Sequence, residues 1–272
     1  MGLQIIPTDL LRDYIRQVGG LNLSNCFDLL KEADLSNEDF SFHIAAAAVY
    51  SGRIEGEAIE LDSYVKYKRF GVELQPDYVC KTDDLYAAYQ FAKNTPITPE
   101  NIAQAHALLA QHILPEDSQG KFRNTNMYVT SMDGSIEYVA APSFEVLEAM
   151  KRFYSDLAVL LEREMSIAEV FFFASMIHLM FVKIHPWRDG NGRSARLLEK
   201  WFLARKLGAK AWLVRSEEYY YVHRRAYYDN IKALGLEYGS LGFGEAGGFL
   251  RMLVGSVGKM RVIRVCYKRI CN

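Results

Sequence analysis

The chain has 272 residues, is half hydrophobic and carries a formal net charge of −1. That balance excludes a disordered chain and gives none of the basic footprint of a general nucleic-acid binder. The length fits one large domain or two small ones.

The N-terminal stretch Met1–Gln17 places charges before any long apolar run can form, so it does not read as a signal peptide. Ser36 and Asp39 form an expected capping box, opening a helix through Phe40–Ile54 that ends near Gly56. Thr98-Pro99-Glu100 is a second start signal, with threonine as N-cap and proline in the first turn, and a helix over Ala103–Ile113 follows. Met127–Pro142 alternates, is rich in β-formers and has Asp133-Gly134 at its centre, the pattern of a β-hairpin. A single hairpin is not stable alone, so it must pack on the helices. Phe144–Glu164 repeats apolar residues at three and four, which predicts a helix. Phe171–Ile184 is the most apolar segment; at 14 residues it is too short to span a bilayer and reads as a buried core helix. Further helices are expected over Arg193–Leu207, over Glu217–Leu234 and from about Glu245 to Tyr267. The last reads as a closing helix with a solvated face and favourable cations at its end, in preference to a membrane or nucleic-acid surface. The fold class is therefore all-α with one β-hairpin. A weak composition shift near residue 95 separates an N-terminal helical segment, 1–95, from a main helical domain, 96–272, without making two independent units.

Between two long apolar stretches lies "KIHPWRDGNGRSARLLEK", Lys183–Lys200. Pro186 disfavours helical geometry at His185, so the preceding helix stops there. Trp187 is an aromatic anchor for the loop, and Asp189-Gly190 makes the turn. Gly190 and Gly192 let the backbone approach a ligand closely. The free amides of the helix start at Asn191-Gly192 form an anion site, helped by the helix dipole. Arg193 and Arg196 project from one face of its first turns. Together these groups suit a di- or triphosphate. Asp189 beside it suits Mg²⁺, a hard cation that prefers carboxylate and phosphate oxygen. His185 at the rim can take a proton from a hydroxyl near neutral pH. The parts describe phosphoryl or nucleotidyl transfer.

The run "HPWRDGNGRSAR" resembles the signature of the Fic-domain (Fido) family, His-Pro-Phe-x-Asp/Glu-Gly-Asn-Gly-Arg-x-x-Arg, with Trp187 standing for phenylalanine. The resemblance covers about Thr98 to Leu234. It implies a Fic-type helical domain that transfers AMP from ATP to a Ser, Thr or Tyr hydroxyl of a target protein. It implies His185 as the base, Asp189 as the Mg²⁺ ligand, and Gly190, Asn191, Gly192 and Arg193 as the cradle of the α- and β-phosphates. Arg196 would hold the γ-phosphate. "SGRIEG", Ser51–Gly56, is similar to the family's inhibitory motif, in which the glutamate, here Glu55, reaches the second arginine of the signature. Ser51 and Glu55 share a helix face, and Gly56 ends the motif. Glu57, one residue beyond, is a competing acid that leaves a second register open. The hairpin resembles the family's flap, which holds a target segment by strand addition, here through Met127, Tyr128, Val129 and Thr130. A hairpin that merely covers the core is the alternative. Tyr227-Tyr228 match a tyrosine pair near the nucleobase, where an aromatic ring could stack on adenine.

The expected partners are thus ATP with Mg²⁺ and a target protein, with no nucleic acid, no membrane and an open possibility of a homo-oligomer. Rival readings keep the site but change the chemistry, to AMP removal or transfer of another nucleotidyl or phosphoryl group. A reading from another class is a nucleotide-sensing interaction module without turnover. His178, on the helix before His185, reads as a packed core histidine; His43, His106, His112 and His223 carry no motif, and Arg123 in "GKFR" has no assigned role. Cys26, Cys80, Cys266 and Cys271 show no metal-ligand spacing, so free thiols in the cytoplasm are expected.

Overall fold

The computed structural model describes residues 2–30, 37–130, 134 and 136–258, and no side chain of residues 37–40. Among the described residues there are twelve α-helices and one two-stranded hairpin, as an all-α fold with one hairpin requires. The organising element is α8, Ile167–Ile184. Its start is a reciprocal capping box: Ser166 Oγ accepts from the Glu169 amide, and Glu169 accepts from the Ser166 amide. From Val170 to Ile184 every side chain is buried, on all sides of the helix. The helix is 18 residues long, more than the apolar run alone predicted, and long and apolar enough by composition to cross a membrane. Within this fold 83% of it is covered by other parts of the protein, so it is the core helix. Phe171, Phe172, Phe173 and Phe181 are each fully buried, and burying one such side chain stabilises by about 1.5–3 kcal/mol.

The partner of α8 is α9, Asn191–Leu207, joined to it by the short loop that carries the chemistry. Around this pair pack α1 (Leu11–Val18), α2 (Leu23–Asp28), α7 (Val146–Glu162) and α12 (Gly247–Gly258) on the α8 side. On the α9 side pack α5 (Pro76–Asn94) and α6 (Pro99–Leu109). The N-terminal α3 (Asn37–Ile54) lies against α5, α9 and α10 (Ser216–Val222), with α4 (Leu61–Phe70) beside it. One apolar core takes in residues from Ile6 to Val257, so the segment before residue 95 shares its core with the rest. A smaller cluster around Tyr64, Val49 and Val79 joins α3, α4 and α5.

Several expected boundaries change for physical reasons. Thr98 caps α6 as expected, its hydroxyl accepting from the Asn101 amide at 3.1 Å. The helix ends at Leu109 instead of Ile113, because the buried Asp84 carboxylate takes the His112 amide (2.9 Å) and ring (2.8 Å) and draws the chain away. The tyrosine-rich stretch is two helices, α10 and α11 (Arg224–Lys232), broken at His223. There the ring Nδ1 lies 2.8 Å from the Tyr219 carbonyl that its own amide also uses. α12 begins at Gly247 after a 3₁₀ turn; its expected continuation to Tyr267, with Cys266 and Cys271, lies outside the described residues, as do Ser36 and the side chain of Asp39.

The hairpin is β1, Tyr128–Thr130, paired antiparallel with β2, Ile136–Val139. Tyr128 faces Val139 in register, with an irregularity between Val129 and Thr130. The expected turn residue Asp133 lies outside the described residues; Gly134 has φ +83°, the left-handed conformation its place in a turn requires. Opposite β1, Val139 is held by the Leu236 carbonyl at 2.7 Å, and Glu137 pairs with Lys232 at 3.3 Å. The flap is thereby tied to the segment after α11.

Candidate active site

α8 stops at His185, which adopts φ 55°, ψ 59°. A non-glycine residue in this left-handed region is strained by about 1–3 kcal/mol and persists only where its surroundings hold it. Pro186 bars the helical alternative, and Arg123 supplies much of the holding force. Its Nε donates to the His185 carbonyl (2.6 Å) and its Nη2 to the Ile184 and Ala141 carbonyls (3.2 and 2.5 Å). The Ile184 and His185 carbonyls lie at the helix end and have no partner within the helix, so Arg123 satisfies them and, through Ala141, joins the α8–α9 loop to the segment after the hairpin. Trp187 is fully buried. It stacks between His106 (centroids 4.4 Å apart) and Phe122 (5.2 Å). His106 donates from Nε2 to the Asp189 carbonyl (3.0 Å) while its Nδ1 accepts from the Gly120 amide (2.9 Å). Burial pushes the His106 ring down to about 4, so it stays neutral in this arrangement. A Cβ on Gly190, at φ +77°, would stand 2.9 Å from Leu109 and 3.3 Å from His106, which explains glycine there.

Asn191 closes the loop with both ends of its amide, each 2.8 Å from a backbone group of Trp187. Its contribution to an anion site is therefore its backbone N–H. The first helical bond of α9 runs from the Ser194 amide to the Gly190 carbonyl, so the preceding amides of Asn191, Gly192 and Arg193 are the orphan donors of the helix start.

The end of α3 fills the space in front of these donors. A Cβ on Gly192 would lie 2.6 Å from Glu55 Oε1. Arg196, fully buried, donates to Glu55 Oε1 at 2.6 Å, to the Ser51 hydroxyl at 2.9 Å and to the Ser51 carbonyl at 3.1 Å. Gly56, at φ +98°, lets the chain turn out of the helix immediately afterwards. Burial raises the Glu55 carboxyl, but Arg196 and Arg193 outweigh it and hold the group below the usual carboxylate range. The two acids divide between the arginines: Glu55 meets Arg196, while Glu57 meets Arg193 at 3.3 Å and Lys81 at 3.1 Å. Both signature arginines thus face a carboxylate of the same chain. Asp189 lies at the rim with its side chain 58% exposed, 4.0 Å from Arg193.

His185 has its Nδ1 3.2 Å from the Val182 carbonyl and 3.1 Å from the Tyr138 hydroxyl. A carbonyl only accepts, so Nδ1 carries the proton and Nε2 keeps its lone pair. Burial pushes the ring down to about 4, with Arg123 adding to the effect, so the histidine is neutral and able to accept a proton at pH 7. The Lys183 ammonium lies 4.3 Å from the Tyr138 ring centroid and donates to the Gly235 carbonyl, fixing Tyr138 from the other side.

The expected tyrosine pair divides. Tyr227 is 1% exposed and packed among Tyr220, His178 and Phe249, so it presents no face to a base; its hydroxyl accepts from Arg196 Nη1 at 3.2 Å. Tyr228 is partly buried and donates to the Ile54 carbonyl at 3.3 Å. Tyr128 is 62% exposed, Thr130 is exposed, and Met127 and Val129 are half-buried. Among the described residues β1 pairs only with β2, which leaves its other edge open. Sequence reasoning missed Arg123, His106, Tyr138 and the pairing of Glu57. Of these, Glu57 was marked as a competing acid, and His106 carried a further signal, since it falls on the apolar face of α6 with Ile102, Ala105 and Leu109.

Residues 96–203 match the Fic/DOC family. The chain is 30% identical over 139 residues to "Protein adenylyltransferase Fic" of Nematostella vectensis, covering 51% of this chain and 29% of that one. It is 30% identical over 140 residues to the protein of the same name from Culex quinquefasciatus, covering 52% and 25%. The chain therefore spans only 25–29% of the length of these relatives. A Fic family protein from Desulfovibrio desulfuricans G20 superposes with a TM-score of 0.76 at 18% identity, covering 98% of this chain and 78% of the other. A Fic domain containing signaling protein from Bacteroides thetaiotaomicron gives 0.67 at 18% identity, covering 90% and 93%. At that identity the two structures speak for the fold alone.

Proposed function

We propose that this chain, whose residues 96–203 match the Fic/DOC family, is a protein adenylyltransferase, moving AMP from ATP to a hydroxyl of a target protein, and that the end of α3 holds it inactive. The observation that carries this reading is the Glu55 carboxylate lying against Gly192 at the start of α9 while bound to Arg196. The site is built for an anion and is filled by one of the protein's own.

In the released enzyme the amides of Asn191, Gly192 and Arg193, with the Arg193 side chain, receive the α- and β-phosphates, and Arg196 receives the γ-phosphate. An extended target segment pairs with the open edge of β1, which brings a Ser, Thr or Tyr hydroxyl to His185. His185 Nε2 takes the hydroxyl proton as the hydroxyl oxygen attacks the α-phosphorus. The bond from that phosphorus to the bridging oxygen breaks, pyrophosphate leaves, and AMP stays on the target oxygen. Asp189 fits as the holder of Mg²⁺: its carboxylate is exposed at the rim beside Arg193, and as a single protein ligand it leaves positions for phosphate oxygens and water. When bound, the ion would offset phosphate charge. Free thiols at Cys26 and Cys80 are consistent with the cytoplasm as the compartment.

The test is intact mass spectrometry of the Glu55→Gly protein incubated with ATP and Mg²⁺. The expected result is a gain of one AMP unit, absent when His185→Ala is added. ATP binding without any mass gain would favour the nucleotide-sensing module instead. Asp189→Ala is expected to leave very low activity at every Mg²⁺ concentration; a wild-type rate with wild-type Mg²⁺ dependence would put the metal elsewhere.

A further inference from the structure

Behind Arg196 lies a line of buried polar groups that the proposed chemistry does not use. Arg196 Nη1 donates to the Tyr227 hydroxyl at 3.2 Å, that hydroxyl lies 2.9 Å from His178 Nε2, and His178 Nδ1 lies 2.8 Å from Glu199 Oε2. The Tyr220 hydroxyl donates to both Glu199 oxygens, at 3.0 and 2.9 Å. Arg196, His178, Glu199 and Tyr220 are fully buried, and Phe249 closes the group edge-on against His178 at 4.9 Å.

The order of protons follows from what each group can do. A guanidinium only donates, so the Tyr227 oxygen accepts from it and must place its own proton elsewhere. A buried hydroxyl that donates to nothing is costly. Among the described residues, the acceptor within its reach is His178 Nε2. The His178 proton then sits on Nδ1, facing a carboxylate that accepts it. Every hydrogen bond runs the same way, from Arg196 to Glu199.

The partners of Arg196 therefore fall into two sets. Ser51 and Glu55 come from the end of α3; Tyr227 comes from α11 and is tied through His178 on α8 to Glu199 on α9. We propose that His178 and Glu199 are positioning residues which, acting through Tyr227, keep the Arg196 guanidinium aimed at the phosphate chain after Glu55 withdraws. An unanchored arginine would lose its rotamer freedom on gripping the γ-phosphate, whereas an anchored one has already lost much of it. The inference rests on the assignment of Arg196 to the γ-phosphate.

Calorimetric titration with ATP and with ADP, both with Mg²⁺, tests it, since the two differ only in that phosphate. The parent protein carries Glu55→Gly and His185→Ala, so that the site is open and ATP is not consumed. Tyr227→Phe removes the hydroxyl and keeps the ring; His178→Leu removes both ring donors and acceptors, and His178→Gln restores part of them. The ATP Kd is expected to rise about ten-fold with Tyr227→Phe and with His178→Leu, and less with His178→Gln, the scale of one hydrogen bond to a charged group. The ADP Kd should stay within about two-fold of the parent on the same scale. If ATP and ADP weaken together, the line of residues is structural and the proposal fails; unchanged ATP binding overturns it equally. A parent that binds ATP no tighter than ADP would instead remove Arg196 from the γ-phosphate. Melting temperatures read on the same samples confirm folding, and if Tyr227→Phe does not fold, the His178→Gln and His178→Leu pair gives the same decision.

Discussion

The loop between α8 and α9 and the end of α3 meet at one point but are held in different ways. The loop is fixed by groups with little freedom. Arg123 binds four carbonyls, Trp187 is stacked on both faces, and His106 and Asn191 each hold two backbone groups. The end of α3 is held against it by buried Ile54, by Arg196 bonded to the Ser51 hydroxyl and carbonyl, and by two ion pairs. Its two carboxylates stay partly exposed, at 28% for Glu55 and 24% for Glu57. Helix polarity favours the meeting, since acceptors at the α3 end face donors at the α9 start. On the reading proposed above, the two carboxylates are the exchangeable part of this contact, and the loop keeps its own fixed partners without them.

The largest expected effect falls on the rigid side. His185→Ala in the Glu55→Gly protein should lower AMP transfer by about 10²–10⁴-fold, the usual cost of losing a general base. ATP binding, measured by calorimetry, should hardly change, because the proposed role of His185 is toward the hydroxyl and not the phosphates. Lost ATP affinity in a folded variant would remove that role.

The restraint comes next. Glu55→Gly should raise self-adenylylation about ten- to a hundred-fold, the worth of a charge-assisted buried hydrogen bond, and Arg196→Ala should cancel the gain. The pair is expected to be strongly non-additive, as for residues in contact. Labelled-AMP incorporation by the wild type, both single variants and the double variant measures it. A double variant as active as Glu55→Gly would show that Arg196 is not the residue the glutamate withholds. Removing Glu55 also leaves Arg196 buried without its anion, so the melting temperature without nucleotide should fall and the stabilisation by ATP should grow.

Glu57 sharpens the comparison at smaller scale. Its pair with Arg193 is longer and partly exposed, and such pairs contribute about 0.2–1 kcal/mol. Glu57→Gln should therefore raise the basal rate only about two- to five-fold, and added salt should reduce the difference. An increase equal to that of Glu55→Gly would mean that Arg193 is the arginine that matters for inhibition.

The smallest effect is on pH. Glu55 is held below the usual carboxylate range by Arg196 and Arg193 despite its burial, so its pairing is complete above that range and is lost only as pH falls through the depressed value. The ratio of Glu55→Gly to wild-type activity should stay constant from about pH 6 to 8. His185 is pushed down to about 4, so protonation should not cut the rate of the released enzyme until well below the ordinary histidine range. An acid limb centred near 6.5, the ordinary histidine value, would show that the bound complex exposes the ring to water.

The loop between α8 and α9 was legible because its features are local. Pro186 stops a helix at the residue before it, Gly190 can take the left-handed turn, and Arg193 and Arg196 share a face wherever α9 forms. Glu55 was legible as part of a motif, and Gly56 as its end. The helix at 167–184 was underestimated because Glu169 interrupts the apolar run in its first turn and the capping pair Ser166–Glu169 marks its start.

What the sequence determined by itself is therefore the set of segments whose geometry depends on neighbours within about one helical turn: the all-α class, the hairpin, the α6 cap, and the α9 start with its orphan amides. What only the tertiary structure decided is which distant groups meet. Arg123 reaches His185 across 62 positions, Glu57 reaches Arg193 across 136 and Glu55 reaches Arg196 across 141. Tyr227 looked like a platform for a base and became an anchor for Arg196, because the break at His223 turns it into the core beside His178. No periodicity encodes such meetings. They follow from how the helices pack, and each is selected by the cost of leaving a buried charge or hydrogen-bonding group without a partner.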